Sequence, residues 1–183
     1  MEPKLKYING DVTSPIGDGK KLIIHCCNDI GVMGAGVALA LANKWPVVKS
    51  LYKLWHKSDI FDKNDFCTIM YDESDTPIES DFNSSFHLGA VQFIQVEDNI
   101  VVGNMIGQHH IRPDSNGRPP IRYKAISKCL EKVNTWCKEN NATVHAPRFG
   151  SALAGGEWDI IKDIIGEELI SKGVYPITIY DWK

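Results

Sequence analysis

No stretch of this chain approaches the roughly 20 consecutive apolar residues of a membrane span, and Met1 to Lys6 carries neither an apolar signal core nor an arginine-rich amphipathic leader. Both absences predict a soluble, cytoplasmic protein with no membrane partner. An excess of positive charge is missing as well. Twenty Lys and Arg stand against 23 Asp and Glu, for a net charge of −3, which removes the electrostatic footprint of a general nucleic-acid binder and argues against that partner. Arg112, Arg118 and Arg122 are the one basic cluster through which an RNA partner could be tested. The five cysteines, Cys26, Cys27, Cys67, Cys129 and Cys137, are odd in number and lack the spacing of a metal knuckle, so reduced, buried thiols are expected and neither a metal nor a cofactor is. Internal repeats and low-complexity tracts are also absent.

What the chain does have is 43% hydrophobic and 23% charged residues over 183 positions, enough for one globular domain spanning 1–183 with a core that folds unaided. Lys21 to Cys27 is a nearly continuous apolar run, the mark of a strand buried on both faces. Leu5 to Ile8, Ala90 to Val96, Ile100 to Ile106, Thr143 to Ala146 and Tyr175 to Tyr180 read as further strands, with Glu97-Asp98-Asn99 as a hairpin turn. Helical spacing covers Gly36 to Lys44, a second segment after Trp45-Pro46, a third from Ile121 with Ile126, Cys129, Leu130, Val133, Trp136 and Cys137 on one stripe, and a fourth from Glu157 that Gly173 ends. Asp72 to Ser85 has no apolar period and reads as a surface loop. Strands alternating with helices predict an α/β fold, a three-layer α/β/α sandwich around a mixed, mostly parallel sheet. Ligands of such sheets sit at the carboxyl ends of the strands.

Two glycine-bearing loops occupy that position. His25 to Gly36 follows one buried strand, Pro147 to Gly156 follows another, and each precedes a helix. Backbone N–H groups and helix N-termini aimed into a gap hold phosphates without lysines. Glycines 31, 34 and 36 allow close approach and positive φ, and Gly150-Ser151-Ala152-Leu153-Ala154 repeats the plan with a hydroxyl and low walls. A tight turn without a ligand explains one such loop; two together favour a diphosphate clamp. Neither loop ends in Gly-Lys-(Ser/Thr), and the first lacks dinucleotide-fingerprint spacing, so a P-loop nucleotidase and a Rossmann enzyme are both excluded. Cys26 and Cys27, adjacent in an apolar strand, read as core residues before nucleophiles.

The segments Asn9-Gly-Asp-Val-Thr13, His25 through Gly36 and Pro147 to Trp158 resemble, in order and spacing, the three landmarks of the macrodomain family, which binds ADP-ribose. Met33-Gly-Ala-Gly-Val-Ala38 and Gly156-Glu-Trp158 resemble the branch with ADP-ribose 1″-phosphate phosphatases and glutamate-ADP-ribose hydrolases. The resemblance implies that Asp11 meets the adenine N6 group with the Val12 backbone beside it, and that Tyr180 lies against the adenine; a turn aspartate and a core or edge tyrosine are the plain alternatives. It further implies that Gly31, Val32, Met33, Gly34, Gly36, Val37, Gln108, Arg148, Phe149, Gly150, Ser151, Ala152, Leu153 and Ala154 wall the diphosphate and distal ribose. Asn28 is placed at that ribose to orient a hydroxyl or a water.

Hydrolysis of ADP-ribose 1″-phosphate is the leading activity implied. A non-catalytic reader of ADP-ribose, and a hydrolase of acyl or protein-linked ADP-ribose with an ADP-ribosylated macromolecule as partner, stand behind it. An amide is no general base. Asp29 is the nearest carboxylate, His25, His109, His110 and His145 are the titratable candidates, and His109-His110 beside Gln108 is the better pair. The related glutamate-ADP-ribose hydrolases use a lysine and an aspartate where this chain has Gly107-Gln108 and Ala154, so that mechanism does not carry over.

Overall fold

A computed structural model describes residues 4–61, 70–71, 77–78 and 86–182. The elements run β1 (Leu5–Asn9), β2 (Lys21–Asn28), α1 (Gly36–Lys44), α2 (Pro46–Phe61), β3 (Met70–Tyr71), β4 (Pro77–Ile78), β5 (Val91–Glu97), β6 (Ile100–Gln108), α3 (Tyr123–Asn140), β7 (Thr143–Ala146), α4 (Trp158–Glu168), a 3-10 turn (Ile170–Lys172) and β8 (Ile177–Asp181). Six strands form one sheet in the order β1-β8-β7-β2-β6-β5, and β3 pairs with β4 apart from it. Four of the five pairings in the large sheet are parallel; only the β5–β6 hairpin is antiparallel. The α/β sandwich expected from the alternation of strands and helices is the fold observed.

The continuous apolar run of β2 is explained by what lies on its two faces. Leu22 and Ile24 join the cluster beneath α3 and α4, with Ile126, Leu130, Val133, Ile161 and Ile165. Ile23 and Cys27 join the cluster beneath α1 and α2, with Leu41, Val48, Tyr52 and Trp55. A strand covered on both sides has no solvent face on which to place polar residues. The stripe predicted for α3 is the buried one, apart from half-buried Trp136, whose ring stacks on Phe93 at 5.1 Å.

Several boundaries differ from expectation, most of them by one or two residues. Gly173 ends the 3-10 turn, at φ 90°, while α4 stops at Glu168 with Leu169 as its C-cap, the Leu169 N–H still bonded to the Ile165 carbonyl. The last strand begins at Ile177, after Pro176, since proline lacks the N–H that a parallel ladder needs. Of the expected 72–85 loop, Pro77–Ile78 forms β4, and the rest lies outside the described residues, as does Cys67.

Candidate functional site

A pocket of about 800 Å³ opens across the carboxyl ends of β8, β7, β2 and β6, within the size range of small-molecule sites. Its walls include His25 to Asn28, Val32 to Ala38, Gln108, Ile111, Pro147 to Ala154 and Tyr180 to Trp182. Both glycine loops therefore face one cavity. The first turn of α1 begins at Gly36 with no side-chain cap and no acidic residue, so its backbone N–H groups stand open on the pocket side.

The first loop is shaped by Asn28. Its Oδ1 accepts from the backbone N–H of Ile30 (3.2 Å) and Val32 (3.1 Å) and from the Tyr52 hydroxyl (2.8 Å), while its Nδ2 donates to the Val32 carbonyl at 2.6 Å. Tyr52 also donates to the Asn28 carbonyl (2.6 Å). The amide expected to orient a substrate group is thus occupied in folding the loop, which gives Val32, Met33, Gly34, Gly36 and Val37 their places in the wall. Gly31 departs from expectation. It adopts φ 75°, but it lies outside the pocket wall and against α2, where an added Cβ would stand 2.5 Å from His56 Nδ1. Gly36 also has positive φ (58°); Gly34 does not.

The second loop closes on itself. Gly150, at φ 75°, accepts at its carbonyl from Gly156 N–H (2.8 Å), and a Cβ there would stand 2.7 Å from Ile121 Cδ1. Ser151 Oγ, expected as a ligand donor, donates to the Arg148 carbonyl at 2.7 Å because that acceptor lies three residues back in the same turn. Arg148 is committed elsewhere as well. Its guanidinium donates to both carboxylate oxygens of Asp181 (2.6 and 3.0 Å) and lies over the Tyr7 ring at 4.9 Å. That bidentate partner holds the Asp181 carboxyl below its usual range. Phe149 is buried in the wall, with Ala152, Leu153 and Ala154 beside it and Leu153 projecting into solvent.

Asp11 and Val12 do not line the pocket. Asp11 Oδ1 accepts from Thr13 N–H (2.8 Å) and Thr13 Oγ1 (2.7 Å), an Asx turn that caps the end of β1, and Val12 is buried in the core. Tyr180 lines the cavity but is only 3% exposed, with its hydroxyl held by Ile16 N–H and His145 Nδ1. The accessible aromatic there is Trp182, 60% exposed. Sequence reading passed over it, although it stands two residues after Tyr180, just beyond the end of β8.

Among the titratable groups, His25 and His145 are buried. His25 Nε2 meets Asn104 Oδ1 at 2.5 Å, and desolvation, only partly offset by that bond, lowers its pKa to about 4. His145 lies between Thr143 Oγ1 and the Tyr180 hydroxyl, both 2.8 Å away, and burial with the nearby lysine charges lowers it to about 4. Burial pushes the Cys26 thiol up to about 12, against a Gly107 backbone hydrogen bond, which removes it as a nucleophile at neutral pH. His109 and His110 sit outside the pocket wall, at its rim between Gln108 and Ile111, and both bond Asp29. Among the described residues no His/Cys/Asp/Glu group could hold a metal ion.

No protein-family model matches the chain. A macrodomain protein from Streptomyces coelicolor is 36% identical, with a TM-score of 0.75 over 97% of this chain and 98% of that one. The chain belongs to the macrodomain family. A protein of unknown function from Bacteroides thetaiotaomicron is 44% identical, with a TM-score of 0.81 over 97% of each chain. Among curated proteins, the ADP-ribose 1″-phosphate phosphatase of Candida albicans is 26% identical over 169 residues, 89% of this chain and 92% of the phosphatase. Chromodomain-helicase-DNA-binding protein 1-like from Mus musculus is 25% identical over 178 residues, and the chain spans about 17% of that relative's length.

Proposed function

We propose that this macrodomain binds ADP-ribose and hydrolyses an ADP-ribose derivative, with ADP-ribose 1″-phosphate, cleaved to ADP-ribose and phosphate, as the leading substrate. The observation that carries the reading is the pair of glycine loops after β2 and β7, neighbours in the sheet, framing one 800 Å³ pocket with the uncapped start of α1 on its wall. The diphosphate lies between Val32 to Val37 and Arg148 to Ala154, held by backbone N–H groups. The adenosine lies toward β8, against Trp182 and Tyr180. The distal ribose then falls toward Gln108. Asn28 acts on the ligand through the loop it shapes.

The similarity to the Candida phosphatase over 92% of its length supports the choice of linkage. Gly107-Gln108 and Ala154, in place of the lysine and aspartate of related hydrolases, favour the binding-only reading as second. The free thiols of Cys26, Cys27, Cys129 and Cys137 accord with a reducing, cytoplasmic setting. Calorimetric titration with ADP-ribose beside a phosphate-release assay on ADP-ribose 1″-phosphate tests the reading. Binding with release is expected. Binding without release from this substrate moves the assignment to another ADP-ribosyl linkage or to a reader, and no binding removes it.

A further inference from the structure

We propose that Asp29 and His109 form a general acid–base dyad at the distal end of the pocket, with His109 Nε2 as the atom that moves the proton. This rests on the ADP-ribose reading above. The sheet order supplies the direction. With adenosine toward β8 and diphosphate over β7 and β2, the group attached to the distal ribose comes next in line, over β6. The segment that leaves β6 is Gln108-His109-His110-Ile111, and its two outer members line the pocket.

The geometry at that point is specific. Asp29, next to Asn28 at the end of β2, is bonded through its own N–H to the Gln108 carbonyl (3.1 Å). Its Oδ2 lies 2.6 Å from His109 Nδ1, and its Oδ1 accepts from His110 N–H at 2.8 Å. A carboxylate on Nδ1 holds the proton there and leaves Nε2 as the acceptor nitrogen of the ring. The His109 side chain is 55% exposed and that of Asp29 18%, so the imidazole is open to water while its partner is sheltered. His110 adopts φ 62°, an uncommon conformation for a residue other than glycine. The Asp29–N–H bond and the Gln108 Nε2 bond to the His110 carbonyl (3.0 Å) hold the turn in it.

Among the described residues no other histidine offers this arrangement. His25 and His145 are enclosed, His56 packs against Phe86 and Gly31, and His87 bonds the Leu88 carbonyl. Among the described residues His109 is the histidine paired with a carboxylate. The step balances without a redox partner: water oxygen bonds phosphorus as its proton passes to Nε2, the P–O1″ bond breaks, and O1″ takes that proton to leave ADP-ribose and phosphate.

The test measures ADP-ribose affinity and phosphate release from ADP-ribose 1″-phosphate for wild type, His109→Ala, His109→Gln and Asp29→Asn, with imidazole added to the alanine variant. The dyad requires His109→Ala to lower kcat by about 10²- to 10⁴-fold, with Kd for ADP-ribose within about threefold of wild type and partial recovery of kcat in imidazole. Asp29→Asn, which keeps an acceptor for His110 N–H but offers His109 a donor, should cost kcat about 10- to 100-fold. A His109→Ala enzyme that keeps full turnover overturns the dyad and leaves the hydrolase standing. Parallel loss of binding and turnover without imidazole rescue shows a structural histidine and also overturns it. A wild-type protein that binds ADP-ribose without releasing phosphate overturns the dyad as assigned while the binding site stands; one that does not bind removes both.

Discussion

Replacing Asn28 with alanine separates a residue that shapes the site from one that performs chemistry. The substitution removes four hydrogen bonds: Oδ1 to Ile30 N–H, Val32 N–H and the Tyr52 hydroxyl, and Nδ2 to the Val32 carbonyl. Tyr52 retains the Asn28 carbonyl at 2.6 Å, so its loss is small. Three backbone groups of the loop remain without partners, at about 1 kcal/mol net each, which puts about 3 kcal/mol on the folded loop. A binding-competent loop weakened by that amount loses up to about 100-fold in apparent affinity, at roughly 1.4 kcal/mol per decade. Asn28→Asp keeps the three accepted bonds but sets a carboxylate oxygen against the Val32 carbonyl, so an intermediate loss is expected. Calorimetric titration with ADP-ribose and thermal unfolding read both variants. An Asn28→Ala protein that binds within threefold of wild type while losing turnover alone would refute the bracing argument and return the amide to catalysis.

Trp182→Ala should raise Kd for ADP-ribose about 5- to 100-fold, the range for one base stacked on an aromatic ring, with no change in Tm, since the side chain is 60% exposed; unchanged affinity would place the adenine elsewhere. Gly31→Ala combines an αL backbone with a Cβ 2.5 Å from His56 Nδ1, and a loss of about 2–4 kcal/mol in denaturant unfolding is expected. Adding His56→Ala should return the steric part and leave about 1–2 kcal/mol of backbone strain, so a cycle without coupling contradicts the contact. His25 and His145 both fold with pKa near 4 against 6.5 for the free side chain. The unfolded chain therefore binds more protons below pH 6.5, and stability falls as pH drops from 6.5 to 4, by about 1.4 kcal/mol per unit for each histidine, then levels off. His145→Gln should flatten that slope by about half, and an unaltered slope in pH-dependent urea melts would remove His145 as a source.

The strands of the large sheet, the helices and the two glycine loops were legible in the sequence because each is a local pattern. The β2 run is apolar at every position since both its faces are covered, and glycines mark turns whose backbone no other residue adopts cheaply. The roles of individual polar side chains were less legible. Gly31 and Ser151 read as parts of the phosphate cradle, yet one serves the contact with His56 and the other its own turn. Arg148 read as a ligand residue, and its charge is taken by Asp181, 33 positions along the chain.

Such differences have one physical origin. A strand's periodicity is set by neighbours two to four residues away, so α/β alternation and the position of the glycine loops at strand ends follow from the chain alone. Where a hydrogen bond goes depends on which distant elements the sheet brings side by side. The order β1-β8-β7-β2-β6-β5 carries Asp29 at the end of β2 onto His109 beyond β6, 80 residues later, and lays Trp182 at the mouth of the pocket. Composition and spacing announced two glycine loops at strand ends; only the packed sheet showed that they face one cavity and which side chains there are already bonded to the protein itself.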